Sequence, residues 1–532
     1  MRIFYTVLAI FSFVFPLICF AEEPPTTVRE ISDYQNWGWN TFVMQNGYVT
    51  TATVPAIGAR VMKYDLTDHS QIYVNSSELG NTYSPGTFGG WPNFGGYKVW
   101  PAPQTVWNWP PPPTLDYGAY TCEIVTETDD SVAIFVSSPV EKYTTPNLHL
   151  ERKMTMYRST SRIQLKQTIV NEGTTGQEWS VWDITQCIVN HPNENDFENF
   201  HVYFPLNPRS IFGSEGIKTS ASSSAWKGEI APGIYCVQFL PENKKIFADA
   251  PEGWVAYCDL LEGYTYVKTY PVYTGEDYPD DGANVEVWIS SGPLYLEVEV
   301  LGPIREIAPN GGRLTFTEDW WAAKVTGPII YANHVGAINT RLTYNDNELC
   351  GIYGVFHVGT AQLVFLDEGG NLLGKGQSHP VTPLATFGLN EKIAIPAEAK
   401  RIAIHVFDTQ GDLIGTLDEA DTGAISAIKH QAINHAVDFS LSPNFPNPFN
   451  GSTMIEYNLK QSADVRLSIY NIQGELIRIL TKQHLETGKH RSIWDGRDTL
   501  GAPVTSGVYY SRIEFKRNGH TTTMSRKMLY VK

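Results

Sequence analysis

The chain has 532 residues, enough for about three or four domains at roughly 100–200 residues each. Charged residues make up 18% and aromatic residues 12%, with 44 Gly and 33 Pro, which excludes coiled coils and disordered scaffolds and favours strands and turns. With 39 Lys and Arg against 56 Asp and Glu the formal charge is -17, so nucleic acid and anionic lipid are poor partners.

At the N-terminus, Arg2 precedes an uncharged run from Ile3 to Ala21, followed by Glu22 and Glu23. This reads as an export signal over residues 1–21, with cleavage expected after Ala21, and Ile18 makes Cys19 a poor lipid anchor. No later segment is apolar for long enough to span a bilayer. The mature chain is therefore expected to keep no transmembrane segment and to be exported to a compartment that permits disulfides. Beyond Cys19 the cysteines are Cys122, Cys187, Cys236, Cys258 and Cys350, scattered and without a CxxC pair, so no zinc site is suggested. Cys236 and Cys258 sit in aromatic strand-like runs and either face each other or remain buried free thiols, the commoner state.

From about residue 28 to 330 the chain repeats short runs of period-two alternation, such as SVAIFVSS, RIQLKQTIV and ANVEVWISSGPLYLEVEV, separated by Gly, Pro, Asn and Asp turns. That pattern predicts an all-β fold, one large antiparallel sandwich. Near its start, Gly58, Ala59 and Arg60 open a strand, and an arginine there either places a fixed donor fork at a sheet end or makes a surface salt bridge.

The least ordinary stretch is GGWPNFGGYKVWPAPQTVWNWPPPPTLDYGAY, residues 89–120, where four Trp and several Pro surround a lone Lys98 and a lone Gln104. It cannot be a regular helix or a central strand. Flat aromatic faces held by rigid prolines, beside a few hydrogen-bonding groups, suit stacking on sugar rings, so carbohydrate is the ligand class implied. The competing reading is a Trp/Pro cap that only closes the sandwich. Further on, YVKTYPVYTGEDYPDDG carries Lys268, Tyr278, Asp280 and Asp281 in a turn-rich loop suited to a sugar pocket or a calcium site. The regular Asp-x-Asp-x-Asp-Gly calcium loop is missing, and no metal is expected. In YLEVEV, alternation puts Tyr295, Glu297 and Glu299 on one face and Leu296, Val298 and Val300 on the other. The shared face either lines a cleft, where one carboxylate serves as a general base, or is a solvated outer surface.

Residues 336–435 hold further hairpin-like runs, expected to form a smaller β domain of unknown role. A boundary falls near Val437, before FSLSPNFPNPFNGSTMIEYNL, and residues 438–532 have the size and strand–turn rhythm of an immunoglobulin-like sandwich. Phosphate-binding Gly-rich loops ending in Lys-Ser or Lys-Thr, HExxH and GxSxG are missing, so no cofactor is expected.

Two resemblances sharpen these expectations. In the last segment SPNFPNPFN, LSIYNIQGELIRIL, WDGRDTLGAPVTSGVYY and a closing basic strand occur in the order found in the type A sorting domain of type IX secretion, related in form to the immunoglobulin-like module of flagellar hook-cap proteins. The resemblance implies passage through the outer-membrane secretion machinery to the cell surface or medium. Across about residues 28–324, GAR, GGYKVWPAPQ, VNEG with WSVWDITQ, VKTYPVY with YPDDG, and YLEVEVLGP with APNGG and EDWW resemble an uncharacterised branch of the galactose mutarotase-like fold. That fold hosts epimerases, lyase domains and binding modules alike.

By this resemblance a carboxylate, Glu297 with Glu299 as second choice, removes the anomeric proton while a histidine protonates the ring oxygen. Where mutarotases carry that histidine this chain has Trp182, Asp183 and Gln186, and HVYFPLNP offers His201 instead. Substrate contacts are expected from Arg60, Lys98, Trp100, Gln104, Asp183, Lys268, Tyr278 and Asp280. The leading expectation is an exported carbohydrate-binding protein. The alternatives are a sugar epimerase or polysaccharide-active enzyme with a Glu base, His201 or Lys98 as acid and Arg60 stabilising negative charge, and a structural or adhesive surface protein.

Overall fold

The computed structural model describes residues 23–145, 147–191, 197–345, 347–423, 439–441, 444–459, 461–471, 476–499, 501–517 and 520–531. The expected signal segment and the boundary near Val437 lie outside them. Among the described residues no helix is long and apolar enough to cross a membrane.

The first unit, to residue 427, is built on two large antiparallel sheets, one of 12 strands and one of 10. Tyr64 and Tyr97 of the larger sheet meet Trp320 of the smaller one at ring-centroid distances of 5.5 and 4.7 Å, so the sheets face each other across one apolar core. The alternation read from sequence is what builds it. Along Leu148–Tyr157, residues Leu148, Leu150, Met154 and Met156 point inward, and the strand pairs antiparallel with Ile163–Asn171, Met156 opposite Ile163. The same parity brings Arg152 into the core. There it lies over the Tyr97 ring and donates to the Ala59 carbonyl.

Two smaller four-stranded sheets follow between Tyr331 and Asp421. They enclose a core of their own around Leu349, Phe365, Phe387 and Ile404. A second apolar cluster joins them to the outer face of the 10-stranded sheet, where Trp321 stacks on Phe356 at 5.2 Å. Cys236 and Cys258 sit in this cluster on strands that flank Phe200–Pro205, opposite Tyr203 and His201 respectively. Both are free thiols, as are Cys122, Cys187 and Cys350. Burial pushes the Cys236 thiol up to about 12, into its inert protonated form.

The second unit, residues 428–532, is an immunoglobulin-like pair of sheets. Phe439–Leu441, Thr453–Leu459 and Gly488–Trp494 form one; Leu476–Leu485, Ala463–Asn471, Gly507–Arg517 and His520–Tyr530 form the other. Trp494, Ile455, Leu467 and Ile513 are buried between them.

Candidate functional site

Three neighbouring strands of the larger sheet, Tyr97–Ala102, Gln177–Cys187 and Leu294–Leu301, carry the polar and aromatic groups singled out by sequence. Their register sets Gln186 opposite Glu297, Ile184 opposite both Glu299 and Lys98, and Trp182 opposite Trp100. Leu296, Val298 and Val300 point into the core, so Glu297 and Glu299 share the outward face, as alternation predicts. On that face Lys98 Nζ and Gln186 Nε2 both donate to Glu297 Oε1, each at 2.9 Å. Lys98 is 2% exposed and its ammonium lies 4.8 Å from the Trp100 ring and 5.5 Å from the Trp91 ring. Burial lowers its pKa, and the Glu297 carboxylate restores only part of the loss. Glu297 itself is 12% exposed.

The Trp/Pro segment folds onto this face around one carboxylate that sequence reading overlooked. The short helical turn Pro113–Asp116 presents Asp116. Its Oδ1 accepts from Arg60 Nη2 at 2.7 Å and Trp100 Nε1 at 2.8 Å, and its Oδ2 from Trp91 Nε1 at 2.8 Å. Arg60 also donates to the Gly95 carbonyl at 3.0 Å. This arginine is fully buried, so it supports the face from beneath and is not a surface contact. The glycines of the two sequence motifs make the fit possible. Gly58 has φ +77 and a Cβ there would stand 2.0 Å from the Asp116 carbonyl oxygen, while Gly95 has φ +86 and a Cβ would stand 2.3 Å from the Tyr73 carbonyl oxygen.

The segment is thus both a cap and a display. Trp100 and Trp107 are buried, the latter with its indole N–H on the Pro101 carbonyl. Trp109 packs against Trp91 at 5.0 Å and Trp100 at 6.3 Å yet remains 56% exposed. Gln104 opens a short turn, Gln104–Val106, and is half-buried. Tyr73 and Tyr295 add a further ring pair at 5.4 Å.

A second charged group continues the face along the sheet. Lys245 reaches Glu286 at 2.5 Å and Glu299 at 2.9 Å, and Trp182 donates its indole N–H to Glu299 at 2.7 Å. Two buried carboxylates therefore share one ammonium. Desolvation raises both carboxyl pKa values, which Lys245 offsets only in part. Burial works against the Lys245 ammonium, but the two carboxylates outweigh it and hold its pKa above that of ordinary lysine. Glu299 is thus a supporting group with its side chain fully enclosed.

The remaining expected residues lie elsewhere. Asp183 points inward and forms a fully buried ion pair with Lys268 of the opposite sheet, so neither is presented to a ligand. Lys268 also donates to the Val298 carbonyl at 3.0 Å. His201 lies on the 10-stranded sheet. Phe200, Val202 and Phe204 turn into the inter-sheet core, which sends His201 and Tyr203 to the opposite outer face of the sandwich from Glu297. The two therefore do not form an acid–base pair. Burial also pushes His201 down to about 4. Tyr278 is half-buried and its hydroxyl accepts from the Tyr273 amide at 2.9 Å. Asp280 lies near enough to Glu286 to raise that carboxyl further, and Asp281 pairs with Lys218 at 2.6 Å.

Residues 447–519 match the family model described as the FlgD Ig-like domain. No curated protein matches the chain. Among solved structures the chain is similar to a galactose mutarotase-like protein from Clostridium acetobutylicum, with 10% identity over 57% of this chain and 100% of that chain and a TM-score of 0.38. A galactose mutarotase-like protein from Lactobacillus casei gives 10% identity, 53% and 99% coverage and a TM-score of 0.35. A galactose mutarotase related enzyme from Lactobacillus acidophilus gives 9% identity, 55% and 100% coverage and a TM-score of 0.36.

Proposed function

We propose that the large sandwich binds carbohydrate on the outward face where Trp109 lies exposed over Trp91 and Trp100, beside Glu297. The observation that carries this reading is Trp109, an exposed ring braced by two indoles that Asp116 holds in place. A flat apolar surface next to a carboxylate that reaches solvent offers what a sugar ring presents in return, C–H faces for stacking and hydroxyls for hydrogen bonding. The test is a monosaccharide and glycan screen of the full chain with intrinsic Trp fluorescence as readout. Saturable binding lost in Trp109→Ala supports the reading. A flat response across the panel, or binding unchanged in that variant, refutes it.

The Lys98–Glu297 pair favours a second reading, acid–base chemistry on the bound sugar. Glu297 would take the anomeric proton and Lys98, with its lowered pKa, would supply one to the ring oxygen. Anomer exchange followed by NMR, abolished in Glu297→Gln while binding persists, separates enzyme from binder.

The C-terminal unit we assign to export by a type IX route, to the cell surface or medium. The ordered motifs of residues 439–532 and the immunoglobulin-like form support this. Deleting residues 447–532 should leave the chain cell-associated inside the outer membrane; unchanged appearance outside the cell would refute it.

A further inference from the structure

Away from the aromatic face, four side chains from three distant segments meet at one end of the sandwich. His69 comes from the short strand His69–Ser70, His191 from the chain after Gln177–Cys187, and Asp259 and Glu262 from the turn between Trp254–Asp259 and Tyr264–Thr269. His69, Asp259 and Glu262 each offer a ligand atom within 4.8 Å of the others. Asp259 is fully buried and both histidines are nearly so, while Glu262 stands at the solvent side.

The hydrogen bonds fix which atoms remain for a ligand. His69 Nδ1 lies 2.7 Å from Glu262 Oε2, so the Nδ1–H donates to that carboxylate and the lone pair of the neutral ring sits on Nε2. That Nε2 is buried without a hydrogen-bond partner and faces Asp259 Oδ2 at 3.8 Å. The ring is held in place by stacking on Tyr264 at 3.8 Å, and its side chain is 5% exposed. The Nε2 lone pair thus faces a carboxylate oxygen across a gap that a bound cation would bridge. His191 Nε2 approaches the same Asp259 oxygen at 2.7 Å, and Glu262 Oε1 at 3.8 Å. Asp259 Oδ1 is already taken by the amides of Leu261 and Glu262 at 2.9 and 3.0 Å, which aims Oδ2 at the histidines.

We propose that this cluster binds a divalent transition-metal ion of the zinc class, with His69 Nε2, His191 Nε2 and Asp259 Oδ2 as ligands and Glu262 as the carboxylate that orients His69. Tetrahedral ligands at about 2.0–2.1 Å from zinc stand about 3.3 Å apart, so on binding the 3.8 Å from His69 Nε2 to Asp259 Oδ2 would shorten and the 2.7 Å from His191 Nε2 to the same oxygen would lengthen, each by about half an ångström. Two imidazoles with one carboxylate suit zinc, cobalt or nickel over calcium or magnesium, which take oxygen ligands. The contact from Glu262 to the far nitrogen of His69 is the usual second support for a metal-bound histidine. Glu262, half-exposed, marks the entry path.

The test uses the full chain, stripped with chelator and titrated with Co2+ and then Zn2+. The expected result is one equivalent of Co2+ with the visible absorption of a tetrahedral N/O site, displaced by Zn2+. Glu262→Gln, an exposed change that leaves the fold intact, should weaken Zn2+ affinity about 10- to 100-fold. His69→Gln and Asp259→Asn should abolish the cobalt spectrum; Asn keeps the oxygen that accepts the two turn amides, so that variant retains its fold. A wild-type chain that takes up neither ion, or uptake unchanged in Glu262→Gln and Asp259→Asn, overturns the proposal. So does preference for Ca2+ over Zn2+.

Discussion

Replacing Lys268 by Met tests the inward assignment of a residue whose type alone suggests a ligand contact. Lys268 and Asp183 are each 0% exposed and pair across the two sheets. Removing the ammonium leaves the Asp183 carboxylate uncompensated and frees the Val298 carbonyl of its donor. A buried pair broken from one side costs about 3–5 kcal/mol, of which the lost carbonyl bond is about 1 kcal/mol. The double variant Lys268→Met/Asp183→Asn removes the stranded charge and should recover most of the loss. Urea unfolding followed by Trp fluorescence reads both, because the Lys268 ammonium lies 5.9 Å from the buried Trp320 ring. A single variant that loses less than about 1 kcal/mol, or a double variant no more stable than the single, would refute the buried-pair argument.

Other outcomes follow from the same geometry. Asp116→Ala strands the fully buried Arg60 and two indole N–H groups and should cost about 3–5 kcal/mol, whereas Trp109→Ala should change stability by less than about 1 kcal/mol; parallel urea curves distinguish them. Glu318, buried on the strand Gly312–Ala323 of the smaller of the two large sheets, accepts from the Trp320 indole N–H at 2.8 Å, and desolvation, with Asp183 nearby, raises its carboxyl well above 4.5. Its contribution to stability is therefore complete below the unfolded pKa and lost as pH rises through the folded one, so Glu318→Gln should flatten the decline on the alkaline side of about pH 4.5 in a denaturation series. His201 has the opposite sign: its pKa falls from 6.5 to about 4, so stability is lost as pH falls through that window, and His201→Gln should remove this part of the acid limb while leaving any anomer exchange unchanged.

How much of this was readable from sequence depends on parity. In Leu294–Leu301 one face is uniformly apolar, so alternation alone separates Glu297 and Glu299 from Val298 and Val300. Gln177–Cys187 is buried on both faces from Trp179 onward. Period two then says nothing about which face is outward, and Asp183 and Gln186 look equivalent although one meets the core and the other meets Glu297. For His201 the parity was present in Phe200, Val202 and Phe204, but local likeness to a motif obscured it. Asp116 was hidden differently. Its partners are 16, 25 and 56 residues away, and the only local sign is an acid in the first turn after a run of four prolines.

The hub at Asp116 divides the aromatic face into a layer that is pinned and a layer that is not. Trp91 and Trp100 are tied by their indole nitrogens to the same carboxylate that neutralises Arg60. Trp109, among the described residues, is held by ring contacts with Trp91 and Trp100. Substitutions at position 109 therefore alter what the face presents without loosening what supports it. Ligand preference along this surface is free to drift through a single exposed ring while the scaffold beneath stays unchanged.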